Sequence, residues 1–365
     1  MNLVADMLLH NLRQGHAETV VATRLVPPMR RLFTRDGTSS GQLFKADRAL
    51  NRFWDYPRFL RRRSAGFDLF HIIDHSYGQL AHELPPERTI ITCHDLDTFR
   101  CLLNGHAERR SFLFRGMTRR IMSGLGKAAR VTCDSVATRD ELLAYELVAP
   151  ERAVVVPNGV HPSCSPEAHP VADAEAVGLL GDPRANDVDI LHVGSTIPRK
   201  RIDVLLQVFA ALRKDFPGAR LIRAGGSFTP TQARLIEHLN LAEAVVVLPH
   251  LERDTLAAIY RRAAVVLQPS EREGFGLPVV EALACGTPVV ASDLPVLREV
   301  GGEAAAYCPV GDVPAWTQTV ARLLSERERQ PRQWNERRVA AIAQAARFSW
   351  AEYANQMVAL YQQIL

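Results

Sequence analysis

The sequence predicts an α/β protein of two doubly wound domains, and three observations carry that prediction. Short apolar runs at 67–73, 89–93, 130–133 and 153–156, and again at 189–193, 219–224, 244–248, 264–267 and 288–291, read as strands. Helical stretches such as 138–147 lie between them, so strand and helix alternate as in stacked βαβ units. The length, 365 residues with 47% hydrophobic content, suffices for two domains of ordinary size with well-formed cores.

Taken in order, the chain opens on a helix at 3–12. Residues 1–10 contain Asp6, lack a basic leader and run into further charges, so no secretory signal is expected there. The first domain is assigned to 1–165. Residues 162–187 are rich in Pro, Ala, Asp and Gly without clean periodicity, and 166–187 form the best linker candidate. The second domain follows at 188–345, with a closing helical segment at 346–365. No apolar stretch approaches the roughly 20 residues of a membrane span. Six cysteines, Cys93, Cys101, Cys133, Cys164, Cys285 and Cys308, lack the paired spacing of a zinc knuckle or a disulfide framework. They read as reduced thiols of a cytoplasmic protein.

The formal charge of +4 is small but unevenly spread. Four arginines surround Phe59 and Leu60 within 58–63. Arg109, Arg110, Arg115, Arg119 and Arg120 are interleaved with Phe112, Leu113, Phe114, Met117, Ile121 and Met122. This second run reads either as a basic amphipathic helix able to lie on anionic lipid, or as a partly buried helix with a solvated arginine face. No recognition motif accompanies the charge, so nucleic acid is not expected as a partner.

The most informative stretch is EGFGLPVVE at 273–281. Gly274 and Gly276 permit a tight turn, Pro278 suits the first helical position, and 279–285 reads as a short helix ended by Gly286. The amides of 275–279 then form an anion site at a helix N-terminus. Glu281 could accept hydrogen bonds from ribose hydroxyls, and Glu273 sits at the other end of the same ligand. Such a loop also serves as a plain turn with solvated glutamates. Flanking strands at 265–270 and 287–292, however, place it at the carboxyl edge of a sheet, where open α/β folds bind ligands.

A second loop, GSTIPRKR at 194–201, follows the first strand of the second domain. Alone, its basic residues would be ordinary solvated charges. At the same edge as the Glu273 loop, Lys200 or Arg199 could stabilise the charge developing on a diphosphate leaving group without a metal. In the first domain His94 ends a strand, where it serves either as a structural residue or as one that positions a sugar hydroxyl. Asp95 and Asp97, like Asp187 and Asp189, have the spacing of a divalent-ion site. Metal is discounted because the basic loop already supplies positive charge and Asp187 precedes its strand.

These residues together resemble a known family. The E-x7-E motif of Glu273 and Glu281, its continuation ALACGTPVVAS at 282–292, the loop 194–200 and VPNGV at 156–160 are similar to the retaining GT-B glycosyltransferases of family 4, also called group 1. The resemblance runs from about residue 65 to the C-terminus. It implies two Rossmann-like domains facing a cleft, a nucleotide-sugar donor on the second and an acceptor mainly on the first. No cofactor is implied beyond the nucleotide-diphosphate sugar. By position, Glu281 would bind the ribose and Glu273 the donor sugar. Gly194, Ser195, Gly274, Phe275, Gly276 and Leu277 would line the donor, Arg199 and Lys200 would hold the diphosphate, and His94 would match the cleft histidine. The end of the chain, 348–361, is similar to family helices that cross back to the first domain.

One departure stands out. Family members open with a strand and a glycine-rich loop, and here the helix at 3–12 comes first, so that strand is expected to be missing. The activity the resemblance implies is glycosyl transfer from a UDP- or GDP-sugar to a hydroxyl with retention, in polysaccharide or glycolipid assembly. The acceptor would be a carbohydrate or lipid-linked molecule, with the basic stretch near Arg115 suited to the inner face of a membrane. A sugar-nucleotide epimerase and a non-catalytic sugar-nucleotide sensor are the alternatives.

Overall fold

A computed structural model describes residues 2–34, 41–103, 110–182 and 188–365. They form two compact units, Met1–Asn158 with Trp350–Leu365, and Gly159–Ser349.

The first unit runs α1 (Asn2–Gly15), α2 (Gln42–Leu50), α3 (Tyr56–Arg63), β1 (Phe70–Ile72), β2 (Thr89–Cys93), α4 (Arg100–Leu103), α5 (Phe112–Leu125), β3 (Arg130–Cys133), α6 (Val136–Ala144) and β4 (Ala153–Val155). Its strands are parallel in the order β1-β2-β3-β4. Every residue of β2 is buried, as expected of a parallel strand covered on both faces. In α1, Val4, Met7, Leu8 and Leu12 recur at helical spacing, and all four are buried.

The second unit runs α7 (Pro170–Leu180), β5 (Val188–Val193), α8 (Ile202–Leu212), β6 (Ala219–Ala224), α9 (Pro230–His238), β7 (Val245–Val247), α10 (Arg253–Arg262), β8 (Val265–Gln268), α11 (Leu277–Ala284), β9 (Val289–Ser292), α12 (Pro295–Gly301), β10 (Ala306–Cys308), α13 (Val313–Arg329) and α14 (Pro331–Ala345). Its six strands are parallel in the order β10-β9-β8-β5-β6-β7. The chain winds outward from β5 in one direction and restarts at β8 in the other. The boundary between β5 and β8 is therefore the topological switch point, where such sheets bind ligands at their carboxyl ends. Phe209 and Trp316 are fully buried beside β5. Truncating Phe209 to Ala is expected to cost about 3–5 kcal/mol in lost burial and cavity formation.

The last helix, α15 (Trp350–Ile364), returns to the first unit and packs on α1. Trp350, Tyr353, Met357 and Tyr361 bury against Leu8, Leu12 and Ile90. This return begins at Trp350 rather than 346, and the first division falls after Asn158 rather than 165.

The expected linker at 166–187 is corrected more substantially, because α7 occupies 170–180 and packs against α10. Its amphipathicity is written in small residues: Ala172, Ala176 and Leu180 recur every fourth position and are buried. His169 Nδ1 accepts from the Ala172 amide at 3.2 Å, and Asp173 pairs with Arg261 at 2.5 Å. Strand β10, which completes the second sheet, is not among the apolar runs read from the sequence. It has only three residues, and two of them are half-exposed.

Candidate functional site

The loops after β5 and β8 carry most of the predicted donor residues, and backbone hydrogen bonding brings them together. The Glu271 amide donates to the Arg199 carbonyl at 2.7 Å. Gly194, at φ 154°, and Gly225, at φ 122°, pass so closely that a Cβ on Gly225 would lie 2.2 Å from the Gly194 oxygen. Only glycine fits there. Gly276, at φ 99°, turns the chain into α11, and Gly286, at φ 72°, ends it, both as the sequence predicts.

Glu273 is the centre of this arrangement. Its side chain is 6% exposed, with Lys200 Nζ 2.5 Å from Oε1 and Arg199 Nη1 3.1 Å from Oε2. Gln268 Nε2 also donates to Oε1 at 2.5 Å. Burial acts to raise the carboxyl pKa, but Lys200 and then Arg199 outweigh it and hold Glu273 below the usual carboxylate range. Two cations against one carboxylate leave the trio at +1. A diphosphate would meet a positive field there, although Lys200 also serves Glu273.

Glu281 is buried on the inner side of α11. Tyr260 Oη donates to Oε2 at 3.0 Å, and Arg253 Nη1 lies 3.3 Å from Oε1. Burial raises its pKa, opposed by Arg253 and Tyr260. A carboxylate has roughly four acceptor sites, so lone pairs of Glu281 remain beyond these two partners. The expected anion cradle at 275–279 is narrower than the sequence suggests. The Val279 amide already donates to Gly276 O at 2.9 Å, and Pro278 has no N–H. Phe275 is buried edge-on against Phe348, with ring centroids 5.6 Å apart. Ser195 is exposed on its loop and Leu277 half-exposed.

Sequence reasoning missed Arg223. This fully buried residue of β6 donates from Nη1 to Gly194 O at 2.5 Å and to His192 Nδ1 at 2.9 Å. Its Nε and Nη2 have no hydrogen-bond partner, and it forms no ion pair among the described residues. Burial lowers the guanidinium to about 10. Burial, then Arg223 and Lys200, holds His192 far below its usual value, so that ring is neutral. The legible signal was a pair of arginines, Arg220 and Arg223, inside the strand run 219–224, of which Arg220 pairs with Asp189 and Arg223 does not.

In the first unit His94 departs from its expected role. Its Nδ1 lies 2.8 Å from Asp134 Oδ2 and its Nε2 2.7 Å from the Ile73 carbonyl. Both partners are acceptors, so both ring nitrogens carry protons and neither is open to a sugar hydroxyl. Burial acts to lower the pKa, but the attraction of Asp134 carries it up to about 9. His75, packed edge-on to His94 at 6.1 Å, accepts from the His94 amide at 3.2 Å. Asp95 accepts from the Asp97 amide at 3.0 Å, a local turn. Asp187 lies outside the described residues, and among those described no group of three or more metal-ligating side chains occurs.

Of the two readings of the basic stretch, the structure shows the partly buried helix. Arg109 lies outside the described residues. On α5, Thr118, Ile121, Gly124 and Leu125 are buried, whereas Phe112 and Leu113 are 85% and 74% exposed.

Comparison with known proteins gives the family. The family described as Glycosyl transferases group 1 matches residues 182–339, and Glycosyltransferase Family 4 matches 2–163. The O-antigen chain mannosyltransferase B of Escherichia coli is 30% identical over 291 residues, covering 78% of this chain and 72% of that protein. The chain belongs to the group 1 glycosyltransferases. The D-inositol 3-phosphate glycosyltransferase of Mycolicibacterium smegmatis is 33% identical over 216 residues, 56% of this chain and 47% of that protein. The chain thus spans about half the length of most curated relatives it matches. HepE of Anabaena, solved with UDP-glucose, superimposes with a TM-score of 0.69 at 18% identity, covering 87% of this chain and 84% of HepE, and shares the GT-B fold. Within this chain, Glu273, Lys200, Arg199 and Gly194 gather at one sheet edge, while His94 sits in the other unit among its own partners.

Proposed function

We propose that the protein is a retaining, metal-independent glycosyltransferase that moves a sugar from a UDP- or GDP-linked donor to a hydroxyl of a carbohydrate or lipid-linked acceptor. The setting is polysaccharide or glycolipid assembly, at the inner face of a membrane. The observation that carries the reading is Glu273, buried between Lys200 and Arg199 at the switch point of the second sheet. The Escherichia coli relative, a mannosyltransferase of O-antigen chains, supports the acceptor class, and HepE with UDP-glucose supports the donor class.

In the proposed reaction the bond from the anomeric carbon to the phosphate oxygen breaks while the acceptor oxygen bonds to that carbon on the same face. The acceptor proton passes to the departing phosphate. Lys200 and Arg199 offset the charge gathering on the diphosphate, a role cations fill best in a site that excludes water. Glu273 fixes Lys200 and faces the sugar, while Glu281 holds the ribose. His94, a cation with both nitrogens occupied, orders its own loop in the first unit.

Incubation with a panel of UDP- and GDP-sugars, with and without hydroxyl acceptors, tests the reading by product analysis. Transfer to acceptor upholds it. Release of an epimer without acceptor marks an epimerase, and tight donor binding without turnover marks a sensor. The membrane contact, made by Phe112 and Leu113 beside Arg115 and Arg119, predicts flotation with anionic but not neutral vesicles.

A further inference from the structure

A second concentration of positive charge lies in the first unit, outside the predicted sites. Residues 27–30 and α3 enclose a cavity of about 320 Å³. Pro27, Pro28, Tyr56 and Phe59 supply apolar walls, and Arg30, Arg58, Arg62 and Arg63 the charge. Among the described residues Asp55 is the only carboxylate in the lining, and it lies 3.7 Å from Arg30. Arg58, Arg62 and Arg63 form no ion pair among the described residues, whereas Arg61 on the same helix meets Glu83 at 2.5 Å. The one arginine of α3 that carries a counter-charge among the described residues, Arg61, thus lies outside the cavity lining, and the three that line it lack one.

Arginines at the C-terminal end of a helix are stabilised by its dipole, and in an open setting that alone would explain them. Here the surroundings are built. Arg58 stacks on Trp54 with its guanidinium carbon 3.3 Å from the ring centroid and donates to the Trp54 carbonyl at 3.1 Å. The opposite wall is fixed from beneath by two buried residues. Asn51 exchanges hydrogen bonds with the backbone of Arg30 at 2.7 Å in each direction. Asp47 accepts the amides of Leu32, Phe33 and Thr34 at 2.9, 3.0 and 2.9 Å. A segment without regular secondary structure is thereby held against the end of α2 and the turn that leads into α3.

We infer that this cavity binds a phosphate group, gripped by Arg58, Arg62 and Arg63 between the wall at 27–30 and α3. Planar guanidinium groups match phosphate oxygens in pairs, and the deficit of carboxylates leaves the charge for an incoming anion. The group belongs to a lipid headgroup or to a free phosphate ester. The site is independent of the donor site in the second unit.

The test uses the full chain with Arg199→Ala, Lys200→Ala and Glu273→Gln, which removes the other anion site without leaving a buried carboxylate uncompensated, and inorganic pyrophosphate as the probe in calorimetry. Saturable binding that falls tenfold or more in Arg58→Ala/Arg62→Glu, and only a few-fold in Arg62→Lys, is expected. Absence of saturable binding in the parent, or equal binding in the parent and the charge-reversed chain, overturns the site. Circular dichroism of each variant checks that exposed Arg62 is replaced without unfolding. Vesicles of phosphatidylglycerol then identify the source. Flotation lost together with pyrophosphate binding marks a lipid headgroup, and flotation retained marks a free phosphate ester; both results uphold the site.

Discussion

Lys200 Nζ lies 2.5 Å from Glu273 Oε1, so the cation expected to hold a phosphate and the carboxylate expected to hold a sugar are ion-paired with each other. Each is poised by the other. Lys200 keeps the buried Glu273 ionised, and Glu273 fixes the ammonium at the sheet edge.

The first prediction follows from that pairing. Lys200→Met should cost about 3–5 kcal/mol, because removing one partner leaves a buried carboxylate with less compensation. Adding Glu273→Gln should recover much of this loss without restoring turnover. Urea unfolding of the two single variants and the double variant gives the coupling, and additive effects would refute it. Glu273 also sets an acid limit. Its folded pKa is depressed, so its contribution is present above the unfolded value and is lost as pH falls through the folded one.

His94 supplies the opposite dependence. Its pKa is raised to about 9, chiefly by Asp134 working against burial, with Asp74 and the Ile73 carbonyl adding to the rise. Its contribution is full below the unfolded value near 6.5 and lost as pH rises toward 9, about 3 kcal/mol in all. The difference in unfolding free energy between the parent and His94→Gln should shrink across that window. A difference independent of pH would mean that the ring is not held as a cation.

Glu281 tests the ribose assignment directly. Hydrogen bonds to a charged acceptor contribute about 1.5–3 kcal/mol, so Glu281→Gln should weaken UDP binding by ten- to a hundredfold. The parent should prefer UDP to its 2′-deoxy form, and the variant should bind both alike. Discrimination preserved in Glu281→Gln would place the ribose elsewhere.

How far the sequence could be read depended on whether a residue's role was local. Strands β2, β3 and β6 matched their apolar runs because a buried parallel strand is continuous in the chain. The turn at Gly276 and the stop at Gly286 were legible for the same reason, since left-handed backbone favours glycine wherever it occurs. Helix α7 was not, because alanines at every fourth position bury without announcing an apolar face. The partners of His94 lie 21 and 40 positions away, so its saturation is a fact of topology. Arg223 and Gly194 likewise meet only because β6 pairs with β5.

Arg223 yields the sharpest test of electrostatics at the donor edge. A buried guanidinium without a carboxylate is costly, and replacing such a charge by an apolar residue is often neutral or stabilising. Arg223→Met would leave the acceptors Gly194 O and His192 Nδ1 without donors, at about 1–3 kcal/mol each. These terms oppose one another, so the net change in stability should stay within about 2 kcal/mol. Affinity for UDP should behave differently. The variant removes positive charge and the tether of the Gly194 loop together, and both act in the direction of weaker diphosphate binding. A tenfold or greater rise in Kd is expected for Arg223→Met, with Arg223→Lys between it and the parent because the charge survives while the fork is lost. Thermal unfolding alongside UDP titration separates the cases. If Arg223→Met unfolds readily while its folded fraction binds UDP as the parent does, Arg223 holds the sheet rather than the ligand.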